Sequence, residues 1–254
     1  MWKVNKKLLS IMVSWKRNFP FIGARAFSKV DTRKLTNVPF LSQISQFGEK
    51  TAIVDQNGSF SYEKILQMGA ILGEDIKQFL RKAGEVSKPI VHGDVMCGPR
   101  VVFLCPNDVS FAVFTCAIWQ SGGIAVPLCK THPVGELEYV VSDCQASLVL
   151  STEEFSITSQ ALAKSLNIEH INVPSTTEYI PGSSGPSFGI NNLETNSTQA
   201  DVSPDRDYGA MILYTSGTTG RPKGVLLTHG SIRYIIYSPL NIFYFIINNY
   251  FTQD

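Results

Sequence analysis

The sequence contains few of the residues that metal sites and disulfide frameworks require. None of its five cysteines belongs to a Cys-x-x-Cys pair, and its four histidines are scattered along the chain. An odd number of cysteines without metal-ligand spacing predicts reduced, mostly buried thiols in a reducing compartment. The cysteines are Cys97, Cys105, Cys116, Cys129 and Cys144.

A large net charge of either sign is also absent, since the sequence has 22 basic and 21 acidic residues. This balance gives no indication of a nucleic-acid partner. The distribution is uneven, because residues 1–30 are basic and contain no carboxylate before Asp31. A basic, acid-free arm with interspersed apolar residues is typical of a mitochondrial transit peptide. Such a peptide is recognised by the mitochondrial import machinery, so the sequence predicts a location in the mitochondrial matrix. An ordinary disordered basic tail is the alternative.

Long apolar runs are absent as well. A secretory signal needs an unbroken apolar core of about 7 to 15 residues, and the N-terminal arm has none. Residues 234–251 are rich in Ile, Tyr and Phe, but Pro239, Asn241, Asn248 and Asn249 interrupt them. A membrane span needs about 20 apolar residues, so no stable span is predicted.

What the chain does contain is an alternation of short apolar runs and helical periodicity. Asn57-Gly58 predicts a β-hairpin between residues 52–55 and 59–62, followed by a helix over 65–80. Asn107 is expected to cap a second helix, in which Phe111, Phe114 and Trp119 pack into the core. Further strands are predicted at 100–105, 124–128, 147–150, 168–173 and 209–213, with helices at 134–144 and 153–166. The pattern predicts an α/β fold with mainly parallel sheets and flanking helices.

The composition divides the chain into five segments. Residues 1–30 form the basic arm, and residues 31–173 the N-terminal α/β subdomain. Residues 174–206 are dominated by Ser, Thr, Pro, Gly and Asn, which is typical of a linker or surface loop. Residues 207–233 are predicted to supply a strand and the loop described next, and residues 234–254 form an atypical tail.

The loop after the strand at 209–213 has the composition of an anion site. Its glycines let backbone N–H groups converge on one point, and its hydroxyls add donors for phosphate oxygens. Lys223 and Arg221 supply positive charge. The candidate residues are Thr215, Ser216, Gly217, Thr218, Thr219, Gly220, Arg221, Pro222 and Lys223. Such a loop suits a polyphosphate held with Mg²⁺.

The spacing excludes a Walker A loop, which needs four residues between its first glycine and Gly-Lys-Ser/Thr. Here two residues separate Gly217 from Gly220, and Pro222 precedes Lys223 directly. Proline also disfavours a helix that starts straight from the loop. A flexible Gly/Ser linker would explain the composition, but not the abrupt entry from a strand or the Pro-Lys-Gly ending.

The sixteen residues YTSGTTGRPKGVLLTH resemble the signature of the acyl-adenylate-forming superfamily of AMP-binding acyl-CoA synthetases. Residues 51–65, 103–128 and 132–150 are similar to the N-terminal half of the mitochondrial malonyl-CoA synthetases in that superfamily. The resemblance covers residues 38–233. Beyond Arg233, fifteen of the eighteen residues 234–251 are Ile, Asn, Tyr or Phe, so family-like sequence is expected to stop near Arg233.

The resemblance implies an acid–CoA ligase of mitochondrial fatty acid metabolism that uses ATP, Mg²⁺ and coenzyme A. Residues 215–223 would hold the β- and γ-phosphates of ATP, and malonate would be the small carboxylic acid substrate. A medium-chain fatty acid is an alternative. The adenine- and acyl-binding segments of the family have no counterpart in this chain, so it is expected to be inactive alone. The alternative hypothesis, from a different functional class, is a non-catalytic fragment that binds nucleotide weakly.

Overall fold

The computed structural model describes residues 39–83, 90–92, 95–174, 207–215 and 221–237. The predicted transit peptide, most of the predicted linker and most of the C-terminal tail lie outside these residues. In chain order the elements are α1 (Pro39–Ile44), a 3-10 turn (Ser45–Phe47), β1 (Thr51–Asp55), β2 (Gly58–Ser61), α2 (Tyr62–Lys82), β3 (Ile90–His92), β4 (Val95–Cys97), β5 (Arg100–Leu104), α3 (Val109–Gln120), β6 (Ile124–Pro127), α4 (Val134–Asp143), β7 (Leu148–Thr152), a 3-10 turn (Glu153–Phe155), α5 (Ser156–Ser165), β8 (Glu169–Val173), β9 (Asp207–Thr215), β10 (Lys223–Thr228) and α6 (His229–Tyr237).

The large sheet is mixed but mainly parallel, as the sequence predicts. Its strand order is β3-β4-β9-β6-β5-β7-β8, and β10 pairs with β9. The pairs β4–β9, β9–β6, β6–β5, β5–β7 and β7–β8 are parallel. The pairs β3–β4 and β9–β10 are antiparallel. The carboxyl ends of β5 to β9 therefore lie at one edge of the sheet.

Helices cover both faces of this sheet, and alternate strand residues supply two apolar cores. Val101 and Phe103 of β5 point to the core that α2 and α3 complete. Val102 and Leu104 point to the core on the side of α4 and α5. All four side chains are at most 1% exposed. Continuous burial along a strand is expected when helices lie on both faces of a parallel sheet.

The β1–β2 hairpin confirms the turn predicted at Asn57-Gly58. Asp55 pairs with Gly58, and Gly58 has a φ of 130°, which glycine adopts without the strain that a side chain would cause. Asp55 also accepts hydrogen bonds from the amides of Asn57 and of Val109, the first residue of α3. The hairpin is thus tied to the start of a core helix.

Two local features differ from what the sequence predicts. The cap of α3 is Asp108 rather than Asn107, because the Asp108 carboxylate accepts the amide of Ser110. The β3–β4 hairpin was missed because its strands are only three residues long. Among the helices that the structure describes, none combines the length and apolar character that crossing a bilayer requires.

The cysteine prediction is confirmed in part. Cys105, Cys116, Cys129 and Cys144 are free thiols, of which Cys116 and Cys144 are buried. Burial raises the pKa of the Cys116 thiol from 9.0 to about 12. Burial also raises the pKa of Cys144 to about 12, although the nearby Arg100 guanidinium acts in the opposite direction. Both thiols therefore stay protonated at neutral pH and pack as small apolar groups.

Candidate phosphate-binding site

The candidate loop connects two antiparallel strands at the edge of the sheet where the parallel strands end. β9 ends at Thr215 and β10 begins at Lys223, and these two residues are Cα partners across the hairpin. Residues 216–220 lie outside the described part of the chain. In open α/β sheets, ligands bind outside the carboxyl ends of the strands. The position of the hairpin is therefore the one expected for a binding loop.

The pairing register separates the chemical groups of the hairpin onto two faces. Directly paired residues share a face, and successive residues alternate. Thr215 and Lys223 are thus on one face, while Tyr214 and its partner Gly224 are on the other. Thr215, Arg221 and Lys223 are all exposed. The open face consequently presents a hydroxyl and an ammonium group.

On the covered face, Tyr214 contacts the end of α4. The residue is 8% exposed and belongs to the core on the side of α4 and α5. Its hydroxyl donates a hydrogen bond of 2.6 Å to Oδ2 of Asp143. Burial and this hydrogen bond to Asp143 raise the pKa of Tyr214 above its ordinary value. The phenol therefore remains a neutral donor throughout the physiological range.

A second tyrosine on α4 contacts the other end of the loop. The hydroxyl of Tyr139 donates to the carbonyl oxygen of Pro222 at 3.2 Å and lies 3.4 Å from Oδ1 of Asp143. The guanidinium carbon of Arg221 is 5.4 Å from the centre of the Tyr139 ring, which is within the range of a cation–π contact. Residues on both sides of the loop thus contact a single turn of α4.

Glycine at position 224 leaves room for close packing on the hairpin. A Cβ there would lie 3.0 Å from Cζ of Tyr214 and 3.1 Å from Cγ2 of Ile212. The Pro-Lys-Gly ending of the motif therefore supplies a charge at Lys223 and, next to it, the space that the Tyr214 ring occupies. Leaving space for the Tyr214 ring is a different role from the backbone flexibility that the sequence indicates for the glycines of this loop.

The opposite face of β9 is held by Trp119 of α3. Its indole N–H donates to the carbonyl oxygen of Ala210 at 2.7 Å, and its ring meets that of His229 edge-on with centroids 5.2 Å apart. After the six residues of β10, Thr228 Oγ1 accepts the amide of Ser231 at the start of α6. A strand thus separates the loop from the next helix, as Pro222 predicts.

The described residues suit a polyphosphate better than they suit an isolated metal ion. Lys223 and Arg221 match the negative charge of phosphate oxygens, and the Thr215 hydroxyl can donate to one. Among the described residues, no group of three or more His, Cys, Asp or Glu side chains could hold a metal.

Sequence comparison decides the family. A sequence profile of the family described as AMP-binding enzyme matches residues 40–248, more than four fifths of the chain. The chain belongs to the AMP-binding enzyme family. The match runs past Arg233, so it gives no support to a boundary of family-like sequence at that residue.

Curated relatives of this AMP-binding enzyme include several CoA ligases. The mitochondrial malonate–CoA ligase of Xenopus laevis is 37% identical over 204 residues, which are 80% of this chain and 32% of the relative. That of Homo sapiens is 36% identical over 200 residues, 79% of this chain and 31% of the relative. The malonate–CoA ligase of Arabidopsis thaliana is 30% identical over 192 residues, 75% of this chain and 31% of the relative. The chain thus spans about a third of the length of these relatives.

Solved structures share the fold of this AMP-binding enzyme. Apo MatB from Rhodopseudomonas palustris superposes with a TM-score of 0.54 at 21% identity, over 80% of this chain and 38% of that one. The o-succinylbenzoate CoA synthetase MenE from Bacillus subtilis, solved with its acyl-adenylate intermediate, has a TM-score of 0.56 at 19% identity, over 80% and 46%. The predicted α/β class is therefore confirmed.

The structure describes only part of the predicted site. Thr215, Arg221, Pro222 and Lys223 flank the mouth of the hairpin. Ser216, Gly217, Thr218, Thr219 and Gly220 lie outside the described residues, and their role stays a prediction. Sequence reasoning missed the contribution of α4, whose Tyr139 and Asp143 are four residues apart. Residues at that spacing share a helix face, but the sequence does not show which strand the face meets.

Proposed function

We propose that the β9–β10 hairpin of this chain binds the β- and γ-phosphates of ATP in an acid–CoA ligase. The observation that carries the proposal is the pairing of Thr215 with Lys223 at the carboxyl edge of a parallel sheet. This pairing aligns a hydroxyl and an ammonium group at the mouth of a glycine-rich loop. Membership of the AMP-binding enzyme family supports the nucleotide as the ligand.

The reaction we assign to the whole ligase has two balanced steps. An oxygen of the substrate carboxylate attacks the α-phosphorus of ATP, and the bond to the β-phosphate bridging oxygen breaks to release pyrophosphate. The sulfur of coenzyme A then attacks the acyl carbonyl, losing its proton as AMP departs. Lys223 and the loop hydroxyls contribute to the first step, because they stabilise the charge that develops on the departing pyrophosphate. Mg²⁺ bound to the phosphates would neutralise further charge.

Malonate is our proposed acid, and the mitochondrial matrix our proposed location. The support is the set of mitochondrial malonate–CoA ligases from Xenopus laevis, Bos taurus and Homo sapiens, which are 36–38% identical to the chain over 79–80% of its length. The basic composition of residues 1–30, which would be recognised by the mitochondrial import machinery, is consistent with that location. A medium-chain fatty acid remains the alternative substrate.

For the 254-residue chain by itself, we propose nucleotide binding without turnover. The chain corresponds to about a third of the length of the relatives. The test is acid-dependent exchange of labelled pyrophosphate into ATP, with malonate and octanoate compared. We expect no exchange with either acid. Exchange with malonate would contradict the proposal that the chain is inactive and would support malonate as the substrate. Exchange with octanoate alone would contradict malonate as the substrate.

Phosphate binding is tested by comparing nucleotides on the same chain. Calorimetric titration should give a measurable affinity for MgATP, and weaker binding of AMP, because AMP lacks the two phosphates that the hairpin contacts. Magnesium pyrophosphate should compete with MgATP. Equal affinity for ATP and AMP, or no competition by pyrophosphate, would show that the hairpin is not the phosphate site.

A further inference from the structure

The end of α4 makes hydrogen bonds to both strands of the candidate hairpin. Tyr214 is the residue before the last of β9, and its hydroxyl donates to Asp143 at 2.6 Å. On the other side, Tyr139 donates to the carbonyl oxygen of Pro222 at 3.2 Å. That carbonyl belongs to the peptide group that joins Pro222 to Lys223. Its orientation therefore influences where the Lys223 backbone enters β10.

The end of α4 is itself firmly attached to the sheet. The helix ends at Asp143, and Gln145 after it has a φ of 52°. Arg100, at the start of β5, donates from Nε to the carbonyl oxygen of Cys144 at 2.9 Å and from Nη2 to that of Gln145 at 2.8 Å. A guanidinium group that binds two carbonyls in this way holds the terminus in one orientation. The turn that presents Tyr139 and Asp143 is thus tied to a central strand.

The hairpin also has its own backbone pairing. The β9–β10 ladder pairs Thr215 with Lys223 through backbone register alone, and the core already buries the Tyr214 ring. The two phenol hydroxyls orient the hairpin relative to α4, because each links one strand to the same helical turn. Arg221 adds a third contact through its stacking on Tyr139.

We propose that Tyr139 and Asp143 are positioning residues that hold Tyr214 and Pro222, and through them Lys223, in the orientation that binds polyphosphate. This inference rests on the proposed function of the hairpin as the ATP-phosphate site. Neither residue touches the nucleotide in this scheme. Their effect reaches the ligand only through the two strands that flank the loop.

The first test does not depend on ATP. Hydrogen–deuterium exchange of the full 254-residue chain is measured on peptides that contain residues 211–224, in Tyr139→Phe, Asp143→Asn and Tyr214→Phe. We expect faster exchange in these peptides than in wild type, with unchanged exchange in α2 and α3. Tyr62→Phe and Glu74→Gln on α2 are the matched controls, since they remove a hydroxyl and a charge far from the hairpin. Unchanged exchange in all three variants would overturn the proposal, whatever the nucleotide binding shows.

The second test measures the affinity for MgATP in the same variants. Loss of one hydrogen bond should weaken binding about 3- to 10-fold, and Tyr139→Phe keeps the ring on which Arg221 stacks. Tyr214→Phe and Asp143→Asn share one hydrogen bond, so the double variant should lose little more than either single variant. A purely structural role would instead lower the unfolding temperature without changing affinity in the folded chain. That result would also overturn the proposal.

The two tests separate this inference from the proposed function. If wild type binds no MgATP, the function fails, and the exchange measurement still decides whether α4 orders the hairpin. If wild type binds MgATP and Lys223→Ala weakens it, the function stands. Unchanged affinity in Tyr139→Phe and Asp143→Asn would then reject the positioning role alone.

Discussion

At the scale of single residues, the hairpin depends on the contact between Tyr214 and Gly224. The missing side chain at Gly224 leaves room for the Tyr214 ring, whose Cζ would lie 3.0 Å from a Cβ at that position. The ring in turn reaches Asp143 through its hydroxyl. One methyl group at position 224 therefore acts on the same contacts that tie the hairpin to α4.

We expect Gly224→Ala to displace the Tyr214 ring and to weaken MgATP binding about 3- to 10-fold, comparable with loss of the Tyr214 hydrogen bond. Calorimetric titration measures this change. Gly135→Ala is the matched control, because a Cβ at Gly135 meets nothing within 4 Å. If Gly224→Ala binds MgATP as wild type does, the Tyr214 ring has no influence on the phosphate site.

At the scale of elements, the helices α2 and α3 pack closely against each other beside the sheet. Gly69 and Gly73 of α2 are one helical turn apart and face α3. A Cβ at Gly69 would lie 2.9 Å from Cβ of Cys116, and one at Gly73 would lie 3.1 Å from the carbonyl oxygen of Ala117. These two glycines allow the helix backbones to approach closely. Trp119, which binds β9, extends from the same α3.

Gly69→Ala is therefore expected to lower the free energy of unfolding by about 1–3 kcal/mol, the usual cost of overpacking a core. Gly135→Ala, in the open first turn of α4, should instead raise it by up to about 1 kcal/mol because alanine favours helix. Urea denaturation of the two variants and wild type measures both effects. A stabilised Gly69→Ala chain would mean that α2 and α3 are not in close contact at this point.

Helices and strands with a long periodic apolar pattern could be predicted from the sequence. Features that depend on a single hydrogen bond, such as the helix cap, could not. The helix from Ile65 to Leu80 and the strands around Val101 and Ala125 follow from apolar spacing alone. Asn107 and Asp108 are both good caps by residue type, and only the Asp108 backbone geometry selects between them. The contacts of Tyr139 and Asp143 with the hairpin depend on how α4 packs across the sheet, which no local pattern encodes.

At the scale of the whole molecule, buried thiols make stability sensitive to alkaline pH. Cys116 and Cys144 each have a pKa raised to about 12 in the folded chain, chiefly by burial. The unfolded thiols ionise from their ordinary value of 9.0, so the unfolded state binds fewer protons above that pH. The stabilising contribution is complete below pH 9 and is lost as the pH rises towards 12.

We expect the free energy of unfolding to fall between pH 9 and 11, by about 1.4 kcal/mol per pH unit for each buried thiol. Because other groups titrate in the same range, the comparison is with Cys116→Ala. Its profile should be less steep than that of wild type by the contribution of one thiol. Identical slopes in urea denaturation at pH 9, 10 and 11 would indicate that Cys116 is accessible to solvent in the folded chain.

The assignment of the β9–β10 hairpin as a phosphate site is tested most directly by the MgATP affinity of wild type and Lys223→Ala. Lys164→Ala, an exposed lysine at the end of α5, is the control for loss of one positive charge. Because charge-assisted contacts contribute about 1.5–3 kcal/mol, we expect Lys223→Ala to bind at least about tenfold more weakly and Lys164→Ala to match wild type. Equal affinity in all three chains would contradict the assignment of the hairpin as the ATP-phosphate site.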